Sequence, residues 1–200
     1  MTQWIDDPTG GRDRGPAAVA RSWGELLVRP GVFFRNGIAP GDQAPGLVFA
    51  MGVVLVEELL RVALIGSPYP AIGGPAPLST AVWLAVAVLL VTPAALHLAA
   101  ALETVALILL VDDRAGISET VQVLGYASAP CVLAGVPVVE LRALVTVWAF
   151  ALVVYGIHVV HDTTIKRAFL ASAIPASLAF GYGFRGFAAV GELLARWYLI

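Results

Sequence analysis

Long apolar runs separated by short polar clusters dominate the chain from residue 46 onward. A helix needs roughly 20 apolar residues to cross a bilayer. Five runs approach that length, at 47–65, 78–111, 120–138, 141–160 and 168–184. The pattern predicts an all-α, polytopic membrane protein with a bundle of about five transmembrane helices over residues 46–185, followed by a short C-terminal segment at 186–200.

The second run is longer than one span requires. Residues 78–111 would form a helix of about 51 Å at 1.5 Å per residue, against a hydrocarbon core of about 30 Å. Either one long helix protrudes, with a bend at Pro93, or the run breaks into two pieces. We favour one helix, because no glycine or paired proline interrupts it.

The first 45 residues have a different pattern. Residues 1–15 are polar, which predicts a disordered tail without the apolar region of a cleavable signal peptide. Residues 16–45 form an amphipathic interfacial segment, because a helix there places apolar side chains on one face, at Val19, Trp23, Leu26 and Leu27. This helix and the Phe33-Phe34 pair suit an anionic membrane surface. Packing of the helix on the rest of the protein fits the pattern equally well.

Basic residues near the helix ends indicate the orientation. Five arginines lie in the first 35 residues, and none lies in the loop at 66–77. With five spans and a cytoplasmic N-terminus, eight basic residues lie inside and three outside, with Arg61 within a span. We therefore expect a multi-pass protein of the cytoplasmic membrane, with loops 112–118 and 161–167 inside and loop 66–77 outside.

Three charges interrupt the first run, at Glu57, Glu58 and Arg61. A lone charge near the bilayer centre costs roughly 2.5–3.5 kcal/mol. Arg61 can reach either glutamate along one helix face, so one carboxylate must be protonated, hydrated or paired with another helix. Arg142 and His97 are the candidate donors. The cluster is either an ion pair that fixes helix register or a site for proton or ion handling.

A segment of small residues in the third run predicts close helix packing. Gly125 and Ala129 are four residues apart, beside Tyr126 and Pro130, and small residues allow helix backbones to approach in lipid. The same spacing recurs in the fifth run, at Ala173, Ser177 and Gly181, which predicts a seam between the two helices. The alternative is a substrate path that uses Pro130 and Pro175 as bends.

The end of the fourth run carries His158, His161 and Asp162 within about one helical turn. We interpret them as a polar cap, because the one cysteine, Cys131, and the third histidine, His97, lie in other helices and no metal set is apparent. No nucleophile motif or phosphate-binding glycine loop occurs. We therefore expect no metal, no cofactor and no enzymatic activity.

Composition supports the membrane assignment. Hydrophobic residues make up 59% of the chain and charged residues 13%, whereas soluble domains carry about 25% charged residues. The net charge of −2 gives no sign of a nucleic-acid partner.

Several short motifs resemble the Yip1 family of membrane proteins. The segment Val123-Leu-Gly-Tyr-Ala-Ser-Ala-Pro130 resembles its Gly-Tyr-x-x-x-Pro signature. Further similarities follow in the same order, at Trp23…Arg29-Pro30-Gly31-Val32-Phe33-Phe34, Leu96-His97, Val136-Pro137 and Tyr155-Gly156…His161…Arg167-Ala168. The resemblance covers about residues 22–180 and implies a five-helix membrane domain.

The resemblance carries the fold and leaves the partner open. Eukaryotic members of the family resemble trafficking factors that bind prenylated Rab-type GTPases, but the Asp-Leu-Tyr-Gly-Pro motif of those members is missing here. The chain is similar to a prokaryotic-type member. We expect a non-enzymatic protein of the lipid bilayer that organises membrane or recruits membrane or cytoplasmic proteins, with a homo-oligomer left open. The alternative is a small transporter or channel that uses intramembrane ionisable residues.

Overall fold

The computed structural model describes residues 15–66 and 68–198, and no strand occurs among them. The predicted tail falls outside these residues except for Gly15. Eight α-helices and one 3₁₀ segment follow in chain order: α1 Pro16–Val28, α2 Pro30–Asn36, α3 Ala44–Ile65, α4 Ala76–Leu110, α5 Ile117–Ala127, the 3₁₀ segment Ala129–Gly135, α6 Val139–Val160, α7 Ile165–Gly183 and α8 Gly186–Arg196.

All five predicted apolar runs fold as helical segments, and the all-α prediction is confirmed. Length and apolarity qualify two of these helices for crossing a membrane, α4 and α6. The predicted number of five spans stays a prediction.

The second run is one continuous helix of 35 residues, α4, as the absence of glycine suggested. It contains a π-helical turn at Ala87–Val91, next to Pro93. Proline has no backbone N–H and cannot continue the α-helical hydrogen-bond ladder. The Ala87 carbonyl accepts hydrogen bonds from the backbone N–H of Thr92 and also from the Thr92 hydroxyl, the latter at 2.8 Å.

The third run is the centre of the bundle and changes helix type at Ser128. Helix α5 ends at Ala127 and the 3₁₀ segment begins at Ala129, because Pro130 cannot donate to the ladder. Side chains satisfy the carbonyls at the break: the Ser128 hydroxyl donates to Gly125 at 2.6 Å, and the Trp23 indole donates to Ala129 at 2.8 Å. Every residue from 120 to 131 is buried.

Helix α5 and the 3₁₀ segment, residues 117–135, are together called the central segment. Glycines allow α3 to pack closely against it. A Cβ added at Gly125 would overlap the carbonyl oxygen of Gly46, and one added at Gly135 would overlap that of Glu57. A Cβ at Gly46 would lie 2.5 Å from the Gln122 Cα. The predicted seam with the fifth run is wrong at this position, because the neighbour of Gly125 is α3.

The two N-terminal helices, together called the arm, pack on the bundle. Phe33 and Phe34 are only 1% and 2% exposed. The Phe33 ring meets the Tyr126 ring edge to face, with centroids 4.8 Å apart. The prediction that this phenylalanine pair sits at a membrane interface is therefore wrong. Helix α2 instead packs on α6, and α1 contacts α5 and the 3₁₀ segment.

Candidate functional site

The charged residues of α3 belong to a cluster at one end of the bundle. Glu57, Glu58 and Arg61 lie in the second half of α3, towards the loop at 66–75. Tyr69 from that loop and Arg185 from the corner between α7 and α8 complete the cluster. The side chains thus lie towards the end of the bundle where these connections meet, and their depth in a membrane stays a prediction.

Each carboxylate in the charge cluster has a cationic partner. Arg185 Nη2 donates to Glu57 Oε1, and Arg185 Nη1 lies 3.5 Å from Glu58 Oε1. Arg61 Nη1 lies 3.2 and 3.1 Å from the two oxygens of Glu58. The Tyr69 hydroxyl donates to Glu58 Oε2 at 2.7 Å. Two arginines thus neutralise two glutamates that are 1% and 8% exposed.

Arg185 is the partner that sequence reasoning missed. The two proposed donors are engaged elsewhere: Arg142 Nε donates to the Ala134 carbonyl at 3.2 Å, and His97 Nδ1 donates to the Pro93 carbonyl at 2.7 Å. One signal could have identified Arg185. Arg185 lies between Gly183 and Gly186, just after the last apolar run. Five spans would place this end of the fifth run at the same membrane face as the end of the first run, which carries the glutamates.

The backbone of Arg185 adopts the left-handed conformation, with φ of 59°. This conformation costs a non-glycine residue about 1–3 kcal/mol and persists only where surrounding contacts over-determine it. The two glutamate contacts supply such a constraint. Burial, followed by the hydrogen bond to Glu58, raises the pKa of Tyr69, so its hydroxyl stays protonated and donates at neutral pH.

A second buried carboxylate lies in α4, at Glu103, which is fully buried. The Ser172 hydroxyl of α7 donates to its Oε1 at 2.6 Å, while Oε2 has no partner among the described residues. Glu103 lies within the second apolar run and is not among the predicted site residues. Its contact to Ser172 ties α4 to α7.

The polar residues at the end of the fourth run do not form one site. His161 is 1% exposed, and its Nε2 lies 3.2 Å from the Thr120 hydroxyl. Burial lowers the pKa of His161 to about 4. His158 contacts the Thr163 carbonyl, and Asp162 is exposed with φ of 43°. Within residues 15–66 and 68–198, no three histidine, cysteine or acidic side chains are grouped to hold a metal.

Comparison with known proteins connects this architecture to one family. Residues 24–184 match the Yip1 domain. Searches of the curated proteins and of the solved structures found no match. The matched region begins within α1 and ends just before Arg185, so it contains the end of α1, all of α2, the central segment and the charge cluster except Arg185. Because the match covers most of the chain, this protein belongs to the Yip1 family.

Proposed function

We propose that this protein is a non-enzymatic integral membrane protein that organises membrane or recruits partner proteins at the cytoplasmic membrane, with its N-terminus in the cytoplasm. Family membership supports the non-enzymatic, membrane-embedded role. The observation that carries the proposal is the closed charge cluster, in which Arg61 and Arg185 already neutralise both glutamates. Charges paired in this way hold elements together, whereas an ion path needs a carboxylate that can exchange its partner.

The arm supplies a surface on which a partner can bind. Leu26, Phe33 and Phe34 are buried against the bundle, whereas Arg29 and Arg35 are exposed. The hydrogen bond from Trp23 to the Ala129 carbonyl fixes α1 relative to the bundle. A rigid, basic surface suits an acidic segment of another protein.

Affinity capture from native membranes tests this surface. We expect the double variant Arg29→Glu and Arg35→Glu to lose captured proteins that the wild type retains. Arg114→Glu, at an exposed position in a different loop, is the matched control and should retain them. Equal recovery from all three proteins would contradict recruitment through the arm.

Flux measurements test the scaffold role separately. Proteoliposomes containing the wild type should show no ion or proton flux above that of empty liposomes. If Glu58→Gln abolished a flux that the wild type carries, while Arg61→Leu still accumulated normally in the membrane, the charge cluster would be a transport site and the scaffold proposal would fail.

A further inference from the structure

A cavity of about 190 Å³ opens beside the charge cluster. Its walls come from α3, α4, α5 and α7, and its lining is apolar except for Glu58, Thr92 and Ser128. We propose that this cavity binds one acyl chain of a membrane phospholipid, whose phosphodiester head group contacts the charge cluster. This site is independent of the arm and of the proposed recruiting role.

The cavity has a buried floor and an exposed mouth. Ala50, Leu96 and Leu124 in its floor are 3%, 8% and 1% exposed. Val91 and Ala95 at its edge are exposed, and Val91 reaches 54%. The mouth therefore opens on the side of the bundle, between α4 and its neighbours. A chain entering from the bilayer reaches the floor without crossing water.

The polarity of the lining changes along the cavity. Ala50 and Glu58 lie on the same helix, and eight residues separate them by about 12 Å. The one charged side chain of the lining is Glu58, which adjoins Arg61 and Arg185, and the other polar side chains are the hydroxyls of Thr92 and Ser128. An apolar slot that ends in charged groups matches an amphiphile, with its tail inside and its head at the end of the bundle.

The charge cluster can contact a phosphodiester without losing its own ion pairs. The side chains of Arg61 and Arg185 are 22% and 25% exposed. A guanidinium has five N–H donors, so each arginine can keep its glutamate and still donate to a phosphate oxygen. The cluster carries two positive and two negative groups, and it therefore presents donors without a net charge.

Irregular backbone forms two walls of the cavity. The π turn Ala87–Val91 lies on one side, and the break at Ser128 lies on the other. Single π turns often occur at functional sites in helices. An unfilled space would deprive its apolar walls of contacts, and an acyl chain restores them.

Photolabelling in nanodiscs tests the site directly. The probe is a phospholipid with a diazirine near the end of one acyl chain, and labelled residues are read by peptide mass spectrometry. We expect carbene insertion at Leu124 and Leu96, which bulk lipid cannot reach. Labels confined to exposed side chains such as Leu98, which is 72% exposed, would mean ordinary surrounding lipid and would overturn the proposal.

Blocking variants provide the matched comparison. Ala95→Phe fills the mouth, while Ala94→Phe adds the same ring at a neighbouring exposed position outside the lining. We expect labelling of Leu124 to fall roughly tenfold, the change that about 1.4 kcal/mol of binding gives, in the first variant alone. Equal labelling in both would overturn the assignment. Should Ala95→Phe not elute as a folded protein, Ala179→Leu in the lining and Ala173→Leu outside it replace the pair.

A separate experiment tests the contact between the head group and the charge cluster. A diazirine diacylglycerol of the same chain length offers the tail without the phosphodiester or any other anionic group. We expect it to label Leu124 less than the phospholipid does at the same mole fraction. Equal labelling by the two probes would overturn the contact with the charge cluster.

Discussion

Removal of Arg185 should destabilise the bundle more than removal of any other arginine in the described part of the chain. Glu57 is 1% exposed, and Arg185 is the cation that contacts it directly. In Arg185→Leu this carboxylate loses its donor, and Glu58 loses its weaker contact. The leucine keeps a Cβ at the left-handed position, so the backbone strain is the same in both proteins and does not contribute to the difference.

The expected magnitude follows from the burial of the pair. Breaking a buried ion pair by removing one partner costs roughly 3–5 kcal/mol. Arg185 is 25% exposed, and water can therefore partly solvate the remaining carboxylate, so we expect about 3 kcal/mol, the lower end of that range. For a chain of this size, such a loss lowers the unfolding midpoint by roughly 6–12 °C. Arg61→Leu should be milder, because Glu58 keeps Tyr69 and Arg185.

Thermal unfolding in detergent measures this effect. The matched control is Arg196→Leu, which removes surface pairs with Glu140 and Glu192 whose side chains are at least half exposed and which contribute about 0–1 kcal/mol. Adding Glu57→Gln to Arg185→Leu should recover much of the loss, because no charge is then left unpaired. Equal midpoints for Arg185→Leu and Arg196→Leu would refute the reasoning, and so would a lack of recovery in the double variant.

Three further predictions concern packing, pH and topology. Gly125→Ala should destabilise the bundle through overlap with α3, whereas Gly52→Ala, with open space around its Cβ, should stabilise it by about 0.5–1 kcal/mol; equal midpoints would contradict the crossing. The free energy of unfolding should fall as the pH drops from about 6.5 to about 4, because His161 takes up a proton in the unfolded chain but not where it is buried in the folded protein. The slope of this free energy against pH should flatten in His161→Gln, and an unchanged slope would show that other groups titrate. A cysteine at Asp113 in a Cys131→Ser background should react with a membrane-impermeant maleimide only from the cytoplasmic side, and external labelling would contradict the five-span topology.

Local patterns in the sequence determine more of the fold than of the charge cluster. The apolar run in α4 is long and free of glycine, and the structure has one helix there. The turn-rich residues between the runs likewise lie at the connections. Arg185, by contrast, is separated from Glu57 by 128 positions. Three other arginines, at 61, 142 and 196, lie in or near the same end of the bundle, and the choice among them depends on the corner between α7 and α8.

The N-terminal arm shows why amphipathicity alone did not settle its environment. The apolar face of α1 has the same residues whether it meets lipid or protein, since both environments exclude water. The difference lies in the partner: the Ala129 carbonyl begins the 3₁₀ segment at the break, and the Trp23 indole donates a hydrogen bond to it. This bond to a buried backbone group fixes α1 against the bundle. A lipid surface offers the indole no such backbone acceptor.

Hydropathy alone likewise did not determine the environment of the central segment. Hydropathy predicts a span at 120–138 because the residues are apolar, but every side chain from 120 to 131 is covered by protein. A helix exposed to lipid could not change to a 3₁₀ segment, because irregular backbone within a membrane is tolerated only where it is buried in protein or lines a cavity. Here it does both, since Ser128 also lines the proposed acyl-chain site. The irregular backbone at Pro130 is therefore compatible with a membrane because neighbouring helices bury it. Gly125 and Gly135 contribute to this burial, since they allow α3 to approach.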